Sequence, residues 1–231
     1  MKTKEINYVY KTQPYDHQRD VLEASWSARY WALFLEMGTG KSKIICDTIG
    51  MLYEQGEINA VLILAPKGVF DNWVKGEIPT HLPDRIKQNL LRWTPSKTKT
   101  FEEKLRVITY ERSEDLKIFV MNIEAFSSAR GTKAAQAFLT SNPDNIVVVD
   151  ESTTIKNRKA ARTKNIVDLE ELSKYRRILT GSPVTKSPMD LFSQCLFLSP
   201  RALGFNSFFA FQGRYAMVQR RTMGHRSFQE I

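Results

Sequence analysis

Cysteine is nearly missing. Cys46 and Cys195 are the only two in 231 residues, and they stand far apart in sequence. That argues against a disulfide framework or a thiolate metal site, and both thiols are expected to be small buried hydrophobes in a reducing compartment. Histidine is as sparse: His17, His81 and His225 are scattered and show no ligand spacing. No apolar run approaches the ~18 residues that cross a bilayer. The charged N-terminus, MKTKEINYVY, is not followed by the apolar stretch of a secretion signal. Internal repeats, low-complexity tracts and flexible linkers are also wanting. A cytoplasmic or nucleoid-associated globular protein is the expectation, with no membrane partner.

Positive charge is what the chain has in excess. Thirty-four Lys and Arg stand against 25 Asp and Glu, a net +9, while apolar residues make up 42 %. Such an excess favours polyanions, nucleic acid first among them. It is uneven: residues 156–177 hold eight basic and three acidic side chains, and residues 201–231 hold five Arg and one Glu. For any single lysine a solvated helix face is the simpler account.

Short apolar, β-branched runs alternate with longer segments of helical period. The runs are Tyr30 to Met37, Ala60 to Pro66, Lys117 to Ile123, Asn145 to Glu151 and Arg176 to Ser182. Runs this apolar suit strands covered on both faces. Between them, KSKIICDTIGMLYEQG has helical spacing and a stop at Gly56. ARTKNIVDLEELSKY and SPMDLFSQCLFL also read as helices, the latter with Ser187 as N-cap and Pro188 at the first helical position. The fold class this implies is α/β: a doubly wound, mainly parallel sheet flanked by helices, with ligands at the carboxyl ends of the strands. Lys104 to Tyr110 reads as a possible further strand, and Trp73 as core. The tail after Pro200 alternates aromatic and basic residues, starting helical.

The stretch FLEMGTGKSK, Phe34 to Lys43, lies where the first strand meets its helix. Consecutive N–H groups at a helix start form an anion nest, and glycine lets backbone approach phosphate. Lys41 would reach the β- and γ-phosphates and the Ser42 hydroxyl would ligate Mg²⁺. The strict phosphate-loop pattern has glycine at position 35, where this chain has Leu35. A plain glycine turn is the competing account. IVVVDES supplies the second half: Asp150 and Glu151 close a buried strand, Asp150 suited to Mg²⁺ and Glu151 to orienting the attacking water. Together the two motifs point to nucleotide hydrolysis.

PYDHQRDVL, LEMGTGKS, LILAPKGVFDNW, VVVDESTTIKN and RRILTGSPVTKSPMDLFSQCLFL occur in an order and spacing that resembles the Swi/Snf-type ATPases of helicase superfamily two, over roughly Pro14 to Leu198. The resemblance implies a RecA-like ATP-binding lobe at 1–200, and a basic, aromatic extension at 201–231 leading toward a second lobe. It implies ATP and Mg²⁺ as ligands and duplex DNA as partner. Gln18, Met37, Gly38, Thr39, Gly40, Lys41 and Ser42 would bind ATP, with Gln18 reading adenine. Lys41, Asp150 and Glu151 would be catalytic, and Ser42 and Asp150 would hold the metal. Thr180, Gly181 and Ser182 would couple phosphate state to lobe motion, while Pro66, Lys67, Gly68 and Asn122 would track DNA. The family's usual Asp-Glu-Ala-His is here Asp150-Glu151-Ser152-Thr153, which removes the contact its histidine makes with the coupling motif. Only about 50 residues follow the coupling motif, too few for a second lobe with its arginine finger, so slow turnover by this chain is expected. Two alternatives remain open. One is another phosphate-loop enzyme, though the N-K-x-D guanine motif is missing; the other is a non-catalytic nucleic-acid module on the same fold.

Overall fold

The computed structural model describes residues 8–205, 207–216, 219–223 and 226–230; His225 lies outside them. Six strands share one sheet: β1 (Tyr30–Phe34), β2 (Ala60–Ala65), β3 (Gln88–Arg92), β4 (Leu116–Asn122), β5 (Asn145–Asp150) and β6 (Tyr175–Thr180). Their order is β1-β6-β5-β2-β4-β3 and every neighbouring pair is parallel. Helix α1 (Asp16–Ser25) precedes β1; parallel strands need crossovers, and helices supply them: α2 (Lys41–Glu54), α3 (Phe70–Asn72), a π-turn at Trp73–Glu77, α4 (Ile78–His81), α5 (Lys99–Tyr110), α6 (Ala129–Ser141) and α7 (Ala161–Val167), with α8 (Asp190–Leu198) following β6. Then come α9 (Phe208–Tyr215) and an antiparallel pair, β7 (Gln219–Met223) and β8 (Arg226–Glu230).

The continuous apolar runs have a direct cause. All six side chains of β2 are buried, because the sheet separates two apolar layers. Val61, Ile63 and Ala65 join Ile44, Ile49, Leu52 and Trp73 in one layer. Ala60, Leu62 and Leu64 join Phe119, Phe138 and Phe197 in the other. Each fully buried Leu, Ile or Phe contributes about 1.5–3 kcal/mol. The doubly wound architecture expected from the sequence is therefore the observed one. A parallel sheet also brings every strand's carboxyl end to a single edge.

Three local expectations need correction. Lys104 to Tyr110 is not a strand but the end of α5, whose Thr98 side chain accepts the Phe101 N–H at 3.4 Å. Phe101, Leu105 and Ile108 meet the core at helical spacing, so packing overrides the β-branched local preference. The sixth strand is instead β3, where only Leu91 is buried; an edge strand carries too little apolar signal to announce itself. Finally, α8 starts at Asp190 rather than after Ser187, and its N-cap is Met189. The Asp190 carboxylate explains the delay: it accepts N–H bonds from Thr185 and Lys186, both at 2.9 Å, and so holds Thr185–Lys186 as a loop.

Cys46 is buried as expected, but Cys195 only half so. The basic run at 156–177 is less of a surface than it reads. Arg177 is 1 % exposed and donates to the Ser25 and Trp26 carbonyls at 2.9 and 3.1 Å; Arg176 is spent on Glu170.

Candidate active site

The loop between β1 and α2 is shaped by two left-handed glycines, Gly38 (φ +80°) and Gly40 (φ +79°). At Gly40 space adds to the requirement, since a Cβ would stand 2.2 Å from the Gln18 amide nitrogen and would force that side chain to move. Gln18 is buried and belongs to the loop. Its Oε1 accepts the Tyr15 N–H and its Nε2 donates to the Thr39 carbonyl, both at 3.0 Å. His17 Nε2 meets the same Thr39 oxygen at 3.0 Å, and the Thr39 hydroxyl closes the turn on the Glu36 carbonyl at 2.8 Å.

No side chain caps the N-terminus of α2, so its first N–H groups face outward from the loop. Among the described residues Lys41 has no ion-pair partner; its ammonium donates to the Leu35 and Glu36 carbonyls at 2.9 and 3.0 Å. Those carbonyls are weaker partners than a phosphate oxygen, and the side chain is free to exchange them. Uncapped amides, an uncommitted ammonium and the half-buried Ser42 hydroxyl fit a polyphosphate. The Ser42 hydroxyl and the Asp150 carboxylate are oxygen donors of the kind Mg²⁺ takes, this ion being commonly held by one or two protein ligands plus phosphate and water.

Asp150 ends β5 and Glu151 follows it, with β6 between β5 and β1. Asp150 is fixed on both oxygens: Oδ2 accepts the Trp73 indole N–H at 2.9 Å and Oδ1 accepts the Glu151 N–H at 3.0 Å. Burial pushes its carboxyl above the usual range; the Trp73 N–H opposes this, the Glu151 charge adds to it, and Lys41 opposes it from the loop. Trp73 is thus core, as expected, and also the orienting partner of Asp150. The sequence gives no spacing that would link positions so far apart. Glu151 is the only non-glycine residue with positive φ among those described (φ 47°, ψ 59°). Such a conformation costs about 1–3 kcal/mol and persists only where surroundings enforce it.

The third motif joins the other two. Thr180, buried at the end of β6, donates to Glu151 Oε2 at 3.2 Å and accepts the Ser182 N–H at 3.2 Å. A Cβ on Gly181 would stand 3.1 Å from Met37 Cγ, so the glycine lets the β6 loop lie against the phosphate loop. Met37 itself is 83 % exposed. Ser152 and Thr153, in place of the family's Ala-His, do not leave the acidic turn unattached. The buried Ser152 hydroxyl donates to Gln194 Oε1 at 2.6 Å, a contact that sequence reading missed.

Pro66, Lys67 and Gly68 follow β2, and Asn122 ends β4, its register partner being Ala65. Lys67 and Asn122 come together in a cleft of about 610 Å³ with Phe70, Arg92, Glu124 and Arg130; Pro66 and Gly68 lie beside it without lining it. Arg92 and Arg130 were not anticipated, being far from any motif. Arg92 is paired with Asp71 and Arg130 with Glu102 at 2.6 Å, and Glu124 is an acid of the cleft itself. Burial alone would raise its carboxyl, but its own amide, the Asn122 amide at 3.1 Å and the Lys67 N–H hold it below the ordinary range.

The family model of the SNF2-related domain matches residues 24–227. ATP-dependent helicase fft1 of Schizosaccharomyces pombe is 26 % identical over 171 residues, 74 % of this chain and 17 % of the relative. Protein CHROMATIN REMODELING 24 of Arabidopsis thaliana is 27 % identical over 211 residues, 86 % of this chain and 18 % of the relative. The chain thus spans less than a fifth of the length of these relatives. Among solved structures, the Sulfolobus solfataricus SWI2/SNF2 ATPase core in complex with dsDNA superimposes with a TM-score of 0.68 at 20 % identity, over 94 % of this chain and 41 % of that one.

Proposed function

The chain belongs to the SNF2-related domain family, and from that premise we propose that it is the ATP-binding lobe of a DNA-dependent ATPase of the helicase-like, Swi/Snf type. The observation that carries the proposal is the contiguity of three motifs along one sheet edge. Thr180 bonds Glu151 while its neighbour Gly181 packs against Met37 of the phosphate loop.

In this reading Gly38, Thr39, Gly40, Lys41 and Ser42 receive the polyphosphate on main-chain amides, and Lys41 leaves the loop carbonyls for the β- and γ-phosphates. Bound Mg²⁺, on Ser42 and Asp150, would supply neutralisation of the developing phosphate charge. Trp73 keeps the Asp150 carboxylate aimed at that position. Glu151 orients the attacking water, its carboxylate steered by Thr180. Gln18 retains one amide hydrogen and one lone pair beyond its bonds to the loop, the pair of groups that adenine would use. Thr180, Gly181 and Ser182 report phosphate state to the β6 loop. Pro66, Lys67, Gly68 and Asn122 would contact the backbone of duplex DNA, with Arg92 and Arg130 added from the cleft. Residues 1–200 form the lobe and 201–231 an extension toward a second one. An arginine finger from that second lobe would add about 10³–10⁵ in rate, so turnover by this chain alone is slow.

Titration calorimetry with Mg–ATP and Mg–GTP tests the proposal. ATP binding is expected to exceed GTP binding, and Lys41→Ala should weaken it by at least about tenfold. In a protein joining this chain to a second lobe, Glu151→Gln should preserve ATP binding and lower hydrolysis by about 10²–10⁴. Equal binding of GTP, or hydrolysis that survives the substitution, contradicts the assignment. So does robust DNA-stimulated turnover from the 231-residue chain by itself.

A further inference from the structure

We infer that Gln194, acting through Ser152, is a positioning residue for Glu151 that ties the acidic turn to the β6 loop; the inference rests on the reading of Glu151 given above. The Gln194 side chain is fully buried and uses its whole amide. Nε2 donates to the Pro183 carbonyl at 2.8 Å and to the Asp190 carbonyl at 2.7 Å. Two carbonyls therefore fix which end of the amide is nitrogen, since a flipped amide would set oxygen against oxygen. Oε1 is left as the acceptor, and Ser152 must be the donor of the 2.6 Å bond.

One planar group thus touches three pieces of chain: the residue after Glu151, the loop after Thr180, and α8. Glu151 needs such anchorage. Its left-handed backbone is held on one side by its N–H bond to Asp150 Oδ1. On the other side Thr154 donates to the Glu151 carbonyl from both N–H and hydroxyl, each at 2.9 Å. The Ser152 bond pins the link between the two. A second strut runs parallel: Lys156 bonds the Thr185 hydroxyl and pairs with Asp190 at 3.7 Å. The turn that carries Glu151 and the Pro183–Lys186 loop are therefore positioned by one helix end. A displacement of Glu151 on nucleotide binding reaches the loop by two routes, directly through Thr180 and through Ser152 and Gln194.

Hydrogen exchange on the 231-residue chain, with and without a saturating magnesium complex of a non-hydrolysable ATP analogue, separates positioning from plain packing. Ser152→Ala and Gln194→Leu each leave a buried polar group unpaired and should lower the melting temperature by about 3–10 °C. The double variant removes Ser152 Oγ and Gln194 Oε1 together and should recover only the part of the loss that comes from that pair, since the Pro183 and Asp190 carbonyls still lack the Nε2 donor. In the unsubstituted chain the analogue should slow amide exchange at 184–186 by about tenfold. The double variant should bind the analogue within about threefold of the unsubstituted chain, yet show a clearly smaller slowing, because only the route through Thr180 and the Lys156 strut remain. A wild-type response in the double variant, or no response in the unsubstituted chain despite binding, overturns the inference. Failure of the unsubstituted chain to bind the analogue at all overturns the phosphate-loop reading first.

Discussion

At the scale of single residues, the site is built from positions where one atom decides the outcome. Gly38 and Gly40 share a left-handed backbone, but a Cβ on Gly38 would meet nothing within 4 Å whereas one on Gly40 would strike Gln18. Gly38→Ala should therefore cost only the conformational strain, about 1–2 kcal/mol. Gly40→Ala should cost more and also dislodge the Gln18 amide. Thermal melts of the two variants check this, and equal losses would contradict the role given to Gln18. The residues proposed to carry charge chemistry, Lys41, Asp150 and Glu151, stand out in the sequence because acids after a buried strand and glycines before a Lys-Ser pair are unusual locally. Their supports do not. Trp73 and Gln194 act across long sequence separations, and both read as ordinary core or helix residues until the fold brings them in.

At the scale of elements, α2 shows how a helix can be buried on every side from Lys43 to Leu52 and still contain an ion pair. Lys43 Nζ meets Asp47 Oδ2 at 2.5 Å, with side chains 6 % and 0 % exposed. Lys43→Met alone should destabilise by about 3–5 kcal/mol, while Lys43→Met with Asp47→Leu should be neutral or better. Burial pushes the Asp47 carboxyl from 3.8 to about 6, against the Lys43 bond. The folded state then binds more protons than the unfolded one between those values. Its contribution is full below about pH 3.8 and is lost as pH rises through about 6. Urea unfolding should show the stability of the unsubstituted chain falling relative to Asp47→Asn across that window; a pH-independent difference would contradict it. β2 was readable because it is an unbroken apolar run. β3 and α5 were not, because an edge strand shows one buried residue and α5 carries a β-branched end.

At the scale of the whole molecule, the net +9 is distributed by the fold rather than by the sequence. Arg176 and Arg177 are withdrawn into the core, while Lys67, Arg92 and Arg130 are gathered at one cleft. Duplex DNA affinity should accordingly fall steeply with salt, and Lys67→Ala should reduce the slope of log K against log salt by about one. An unchanged slope would place the DNA contact elsewhere. The central claim concerns the other half of the same edge, and a crystal structure of the chain with Mg–ADP tests it most directly. The β-phosphate should lie on the main-chain amides of Gly38 to Ser42, with the ion between the Ser42 hydroxyl and Asp150. Nucleotide seated in another pocket, or a phosphate loop empty beside it, would contradict the account.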